Sequence, residues 1–145
     1  MNIQTPAQLA SYLETQGYAP HVSQKSVLLP LSGAEGSTVA AFTFEADHIA
    51  IHCRLAVLGD FSEASLPALC LAALDANTQI APYAFAVIGA SDADAGLEQC
   101  PLVLTDTLPK GDLSEQEVSY ALDKLLEAVA HSREVLQNVS AYSAA

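Results

Sequence analysis

Strict alternation of apolar and other side chains between His48 and Val57 is the feature that most constrains the fold of this chain. The apolar members lie on one face of an extended strand: Ile49, Ile51, Cys53, Leu55 and Val57. The other face carries Ala50, His52 and Arg54. A period of two with one solvent-facing side predicts a half-buried strand in an antiparallel sheet.

Four more strands are predicted from short apolar runs bounded by turn residues. They cover residues 26–31, 38–45, 83–88 and about 102–105. The strand at 38–45 forms a hairpin with the alternating strand, through a turn at Ala46-Asp47. Pro30 has no N–H to donate to a neighbouring strand, so the strand at 26–31 is expected at a sheet edge or at a bulge.

Three helices are predicted from capping signals and from apolar residues at helical spacing. The first covers residues 5–16, with Thr5 and Gln8 as a capping box. The second begins at Ser62 and ends near Asn77, and the last begins at the capping box of Ser114 and Glu117. The second helix is apolar around most of its circumference, which is typical of a helix buried on more than one side. A core position and a subunit interface both fit it.

The predicted order of elements is α-β-β-β-α-β-β-α. A length of 145 residues fits a single domain. We expect this domain to be α+β, to span residues 1–139, and to be followed by a short flexible tail at residues 140–145.

Charge limits the classes of partner. Seventeen acidic residues against five basic ones give a formal net charge of −12. Nucleic-acid affinity and attraction to anionic membranes both depend on clustered lysine and arginine, so neither is expected. No apolar stretch reaches the length of a membrane span, and no signal peptide is recognised. Three widely spaced cysteines in apolar surroundings suggest a reducing compartment, so a cytoplasmic location is predicted.

Catalytic and metal-binding patterns fail on geometry. His48 and His52 would stand about 13 Å apart along a strand, too far to share an ion. His52 and Cys53 point to opposite faces of the strand and cannot form a dyad. The start of a calcium loop at Asp92 and Asp94 is followed by Gly96 and Val103 at positions that need oxygen ligands. The sequence therefore predicts no catalytic residue, no cofactor and no metal, and a protein that is not an enzyme.

Two segments carry a resemblance to a known family. In residues 74–88 a helix that ends at an asparagine is followed directly by an aromatic strand. Residues 108–114 form the capped start of a helix that ends in Leu136. With the order of elements, they resemble the type III secretion chaperone-like (Tir chaperone-like) fold, which includes the YbjN-like and YjfI-like uncharacterised bacterial families. The resemblance implies a twisted antiparallel sheet flanked by helices, a homodimer, and binding to another protein.

The leading functional hypothesis is a non-catalytic protein-binding module, chaperone-like or a regulatory adaptor, that acts as a homodimer. The candidate partner-binding surface consists of Leu28, Leu29, Leu31, His48, His52 and Arg54. The candidate dimer interface consists of Leu66, Leu69, Leu71, Tyr83 and Phe85.

Two alternatives remain open. One is a small-molecule-binding protein or enzyme, with a pocket between sheet and helices where His21, His52 or His131 meets a carboxylate. The other is a structural subunit of a larger assembly.

Overall fold

The computed structural model describes residues 2–33, 36–92 and 96–144. Within these residues the chain forms three α-helices and six strands, which confirms the α+β class. The helices are α1 (Pro6–Thr15), α2 (Leu66–Ala76) and α3 (Glu115–Ala144). The strands are β1 (His21–Ser23), β2 (Ser26–Gly33), β3 (Gly36–Phe44), β4 (His48–Val57), β5 (Ala84–Val87) and β6 (Pro101–Pro109).

The strands form one antiparallel sheet in the order β1-β2-β3-β4-β6-β5. The end of β4 lies beside the start of β6, because Leu58 N donates to Cys100 O at 3.0 Å. The end of β5 also meets the start of β6, through Ile88 N and Pro101 O at 3.0 Å. β1 and β5 are therefore the two outermost strands of the sheet.

The observed order contains one strand more than the sequence predicted. β1 has three residues, all exposed, so it has no apolar period to reveal it. A two-residue turn joins β1 to β2, and its first residue, Gln24, adopts a φ of 54°. Glycine, asparagine or aspartate is the usual residue in that conformation, so the sequence lacks the ordinary hairpin signal.

Pro30 occupies a locally open part of β2, as expected. β1 pairs only with residues 26–28 of β2, whereas β3 pairs with all of β2. Among the described residues, no strand flanks the β1 side of β2 at Pro30. The missing N–H of Pro30 is consistent with a position where β2 has a strand on one side alone.

The chain comprises two compact units, which we describe separately. Unit 1 contains Met1–Arg54 and Thr105–Leu122, and unit 2 contains Leu55–Leu104 and Asp123–Ala145. The single domain expected over residues 1–139 stays a prediction.

The core of unit 1 forms on one face of β2, β3 and β4. Its strand residues are buried at every second position: Val27, Leu29, Leu31, Ala40, Phe42, Phe44, Ile49, Ile51 and Cys53. α1 lies against β1 and β2 and buries Leu9, Ala10 and Leu13. The capping box of α1 is present as predicted, with Gln8 N donating to Thr5 Oγ1 at 3.2 Å and Thr5 N donating to Gln8 Oε1 at 3.1 Å.

In unit 2, α2 begins later than the sequence indicated. Residues Glu63–Ser65 form a short 3₁₀ helix, and α2 starts at Leu66. Ser65 is buried, and its hydroxyl donates to Ser62 O at 2.8 Å. This bond gives the buried Ser65 hydroxyl a partner within its own segment. Such local side chain–backbone bonds compete with regular α-helix, so the α-helix begins one residue later.

The last helix is longer than its apolar pattern predicted. α3 continues past Leu136 to Ala144, so the backbone of residues 140–144 is helical. Ser132 and Val139 are buried seven residues apart and extend the inner face of the helix beyond Leu136. Within the described parts of the chain, no helix combines the length and the hydropathy needed to cross a membrane.

Candidate protein-interaction surfaces

Unit 1 exposes the second face of its strands, and two rows of side chains cross it. In the first row, Leu28 pairs with Ala41, and Ala41 pairs with His52. In the second row, Pro30 pairs with Val39. Continuing the β3–β4 register by one residue places Arg54 opposite Val39. We call these six residues the open face; β2 and β4 lie about 10 Å apart across it.

The open face is apolar along β2 and β3. Leu28 is 36% exposed and Val39 is 48% exposed, and Pro30 is also exposed. The solvent side of an antiparallel sheet is ordinarily polar, so large apolar residues on two adjacent strands of that side are unusual.

Leu29 and Leu31, which the sequence placed on the candidate surface, point the other way. Both are buried in the core of unit 1, with Leu29 fully inaccessible to solvent. Successive residues of a strand face opposite sides of the sheet, so Leu28 is separated from both. Of the three leucines, the open face contains Leu28 alone.

Charges on the open face are few. Its positions on β2, β3 and β4 carry no acid, and the exposed Arg54 lies at one end. Among the described residues, no carboxylate lies within 4.0 Å of the Arg54 guanidinium. Thr38 Oγ1 donates to Arg54 O at 2.9 Å, which holds the backbone there. On β6, the strand beside β4 in the sheet, partial burial raises the pKa of Asp106 above its usual value.

His48 lies at the other end of β4 and is engaged locally. Its Nδ1 is 2.7 Å from Asp47 Oδ1. The hydrogen bond from His48, and then its charge, hold the pKa of Asp47 below the usual value. Six residues separate His48 from Arg54, about 20 Å along the strand, so the two do not form one compact site.

In unit 2, α2 presents an uncharged apolar side to solvent. Leu71 is 70% exposed and Leu74 is 64% exposed, and Cys70 is exposed beside them. Asp75 is the one charged residue of α2. All three cysteines have apolar neighbours in the sequence, but Cys70 is exposed, whereas Cys53 and Cys100 are buried.

The predicted dimer-interface residues separate into two groups. Leu71 is exposed and Leu66 is half-buried. Leu69, Tyr83 and Phe85 are buried in unit 2 and contribute little surface to a partner. Leu74, which the prediction omitted, is more exposed than Leu66. Its position three residues after Leu71 places it on the same side of the helix, a signal that the sequence contained.

A groove with a volume of about 220 Å³ lies between α2 and β5 in unit 2. Its lining is almost wholly apolar: Leu58, Leu69, Cys70, Ala73, Leu74, Asn77, Phe85, Ala86, Val87 and Leu102. Asn77 is fixed within it, because Phe85 N donates to Asn77 Oδ1 at 2.7 Å. Sequence reasoning missed this role of Asn77, since the contact spans eight residues.

Titratable side chains form no evident reaction centre in the described residues. His131 and Asp75 line a second, wider groove of unit 2, but no ion pair within 4.0 Å joins them. His21 and His52 lie on the solvent side of β1 and β4 and are both exposed. No group of three or more histidine, cysteine, aspartate or glutamate residues in this part of the chain could hold a metal ion. Asp94, of the rejected calcium loop, lies outside the described residues.

Comparison with known proteins supports the fold. No protein-family model matches the chain, and no curated protein sequence matches it. The crystal structure of YbjN from E. coli, described as a proposed transcription regulator, is similar, with a TM-score of 0.65. The match has 14% identity and covers 94% of this chain and 91% of that chain. The YbjN-like fold is thus confirmed, and the resemblance to type III secretion chaperones stays a prediction.

Proposed function

We propose that this chain is a non-catalytic protein-binding module, a regulatory adaptor or chaperone-like protein, that acts as a homodimer. The open face of unit 1 carries the proposal. It combines exposed Leu28, Pro30 and Val39 with Arg54 at one end. Exposed apolar side chains on adjacent strands are typical of a protein contact, because burial against a partner removes the apolar area from water.

The description of YbjN as a proposed transcription regulator supports a regulatory role. The charge of this chain argues for regulation through protein contacts. Five basic residues against seventeen acidic ones offer little attraction to nucleic-acid phosphates. An adaptor that binds another protein fits both the fold and the charge.

The exposed side of α2 supports self-association. In a two-fold dimer the same surface patch of each copy contacts its counterpart. A charged patch would therefore bring like charges together at the interface. Leu71 is 70% exposed, and Asp75 is the one charged residue of α2. A second copy could bury Leu71 without opposing many acids.

Small-molecule binding is the second candidate, because the groove between α2 and β5 is apolar and partly enclosed. Its volume of about 220 Å³ is smaller than the roughly 300–1,000 Å³ of typical ligand pockets. It also lacks converging charged groups that would orient a substrate or drive a reaction. We therefore favour protein binding.

Affinity capture of the tagged full-length protein from a lysate of its own cells, followed by mass spectrometry, tests the proposal. The wild type should recover at least one protein in near-stoichiometric amount. The double variant Leu28→Asp/Val39→Asp should recover at least about tenfold less, which corresponds to 1.4 kcal/mol of binding free energy. Both substitutions are at exposed positions, so the fold should persist, and circular dichroism checks it.

Leu126→Asp is the matched control, because Leu126 is also exposed, at 42%, and belongs to unit 2. It should recover the same partner as the wild type. Sedimentation of the same preparations should give the mass of a dimer. A wild type that captures nothing, or a partner retained fully by the double variant, would contradict binding through the open face.

A further inference from the structure

The groove of unit 2 has a strand on one side and a helix on the other. β5 contributes Phe85 and Val87, and α2 contributes Cys70, Ala73 and Leu74. Cys70 and Leu74 are exposed, so the groove opens to solvent along that side of α2. Its apolar walls are suited to an apolar side chain.

β5 is an outermost strand, so one of its edges has no strand partner among the described residues. Ile88 N bonds to β6, and backbone groups alternate in direction along an antiparallel strand. The backbone groups of Phe85 and Val87 are therefore directed to the outer edge. Asn77 Oδ1 accepts from Phe85 N there, in the position that a carbonyl of an added strand would take.

Charge is almost absent around this edge. Residues 66–91 contain Asp75 as their single acidic or basic residue, in a chain whose net charge is −12. None of the groove-lining residues is acidic or basic. A charged side chain would lose its hydration in such a groove without gaining a partner, so an uncharged apolar occupant is favoured.

We propose that the groove binds an extended segment of a partner protein, which adds as a strand along the outer edge of β5 and places an uncharged apolar side chain between β5 and α2. The proposal rests on the proposed function as a protein-binding module but assigns it a surface other than the open face. A strand edge beside a helix offers backbone bonds and a side-chain pocket together, which is the basis of recognition by strand addition. A free small molecule would use the pocket and leave the outer edge at Val87 without a strand partner.

Selection from a displayed library of random 12-residue peptides on the immobilised full-length protein tests this. Selected peptides are then synthesised, and their Kd values are measured by fluorescence anisotropy. We expect them to share an apolar residue with uncharged neighbours. Cys70→Trp, which fills the groove from its exposed side, and Leu74→Glu, which puts a charge at its rim, should each weaken binding at least tenfold.

Leu126→Glu is the matched control, because it makes the same change at an exposed leucine of unit 2 that does not line the groove. Its affinity should remain within about twofold of the wild type. Binding should also slow hydrogen exchange at the Val87 amide. Methylation of the peptide backbone nitrogens that face β5 should weaken binding at least tenfold, and methylation of the alternate nitrogens should not.

Several results would overturn the proposal: no peptide selected, affinity unchanged by both groove variants, or no effect of backbone methylation. Loss of a dimer on Cys70→Trp, with no peptide bound by the wild type, would assign the groove to a second copy of the chain. The open-face variant Leu28→Asp/Val39→Asp should bind the peptides normally. A cellular partner that depends on the open face, found together with failed peptide binding, would reject the groove and leave the proposed function standing.

Discussion

Asn77 joins the end of α2 to the strand that follows through one side-chain bond. Its Oδ1 accepts from the backbone N–H of Phe85 at 2.7 Å in a partly buried setting. A buried N–H without an acceptor costs more free energy than an ordinary hydrogen bond contributes, because it has also lost its water. The side chain of Asn77 thus supplies what a further strand would supply at this edge.

Asn77→Ala should lower the free energy of unfolding by about 1–3 kcal/mol, because the Phe85 N–H loses its acceptor. Urea unfolding followed by circular dichroism measures the change. Thr78→Ala truncates the exposed neighbouring side chain, whose hydroxyl donates to Asp75 O at 2.8 Å, and should lose much less. Equal losses in the two variants would show that the bond from Phe85 is not the cause.

The cysteines show how one residue type takes different positions. Cys53 is buried because it lies on the inner face of an alternating strand. Cys70 is exposed because it lies next to Leu69, and adjacent helix residues are about 100° apart, so burial of Leu69 turns Cys70 outward. An apolar neighbourhood in the sequence is therefore a weaker guide to burial on a helix that is apolar nearly all round.

At the scale of elements, α1 is defined by its own residues. Thr5 and Gln8 exchange the two bonds of the capping box, and Pro6 occupies the first turn. The expected helix at residues 5–16 differs from Pro6–Thr15 only by its two capping residues. Capping bonds are made within four residues, so the sequence contains all the groups that form them.

Thr5→Ala should destabilise the protein by about 1 kcal/mol, because Gln8 N loses the threonine oxygen. Thermal and urea unfolding measure the effect. Thr5→Ser retains a hydroxyl acceptor and should be nearly neutral. A destabilisation by serine equal to that by alanine would argue that the threonine methyl group, and not the capping bond, is responsible.

The strands depend more on their neighbours. β4 was predicted from residue 48 to residue 57 and is observed there, since its alternation is unbroken over most of its length. β6 extends to Pro109, well beyond the predicted residues near 102–105. Its second half lacks a regular apolar alternation and is strand because β4 lies beside it in the sheet. Pairing with a neighbour can override a weak local preference.

For the molecule as a whole, net charge is the dominant electrostatic quantity. A formal charge of −12 on 145 residues creates repulsion that destabilises the folded chain. The Lys25–Glu45 pair, at 3.0 Å, and the Lys124–Glu127 pair, at 3.3 Å, are largely exposed and offset little of it.

Raising NaCl from about 10 to about 200 mM at pH 7 should raise the Tm by a few degrees, because salt screens the repulsion. Differential scanning calorimetry measures the shift. Near pH 4.3, the calculated pI, the same change of salt should have little effect. A Tm that falls with salt at pH 7 would show that attractive pairs outweigh the net charge.

The sequence by itself determined the α+β class, the position of β4, the caps of α1 and the net charge of −12. Each of these depends on the period of apolar residues, on bonds within a few positions, or on composition. It also indicated that the second helix is apolar nearly all round, but not which of its sides would be covered.

Only the tertiary structure decided which surfaces stay open. The place of β6 between β4 and β5 makes β5 an edge strand, and the position of α2 leaves Leu71 and Leu74 exposed. β1 forms because it pairs with β2, although the sequence of β1 has no apolar pattern that predicts a strand. The physical reason is that strand order and helix docking depend on contacts between residues far apart in the chain, and no local pattern records which distant segment will supply them.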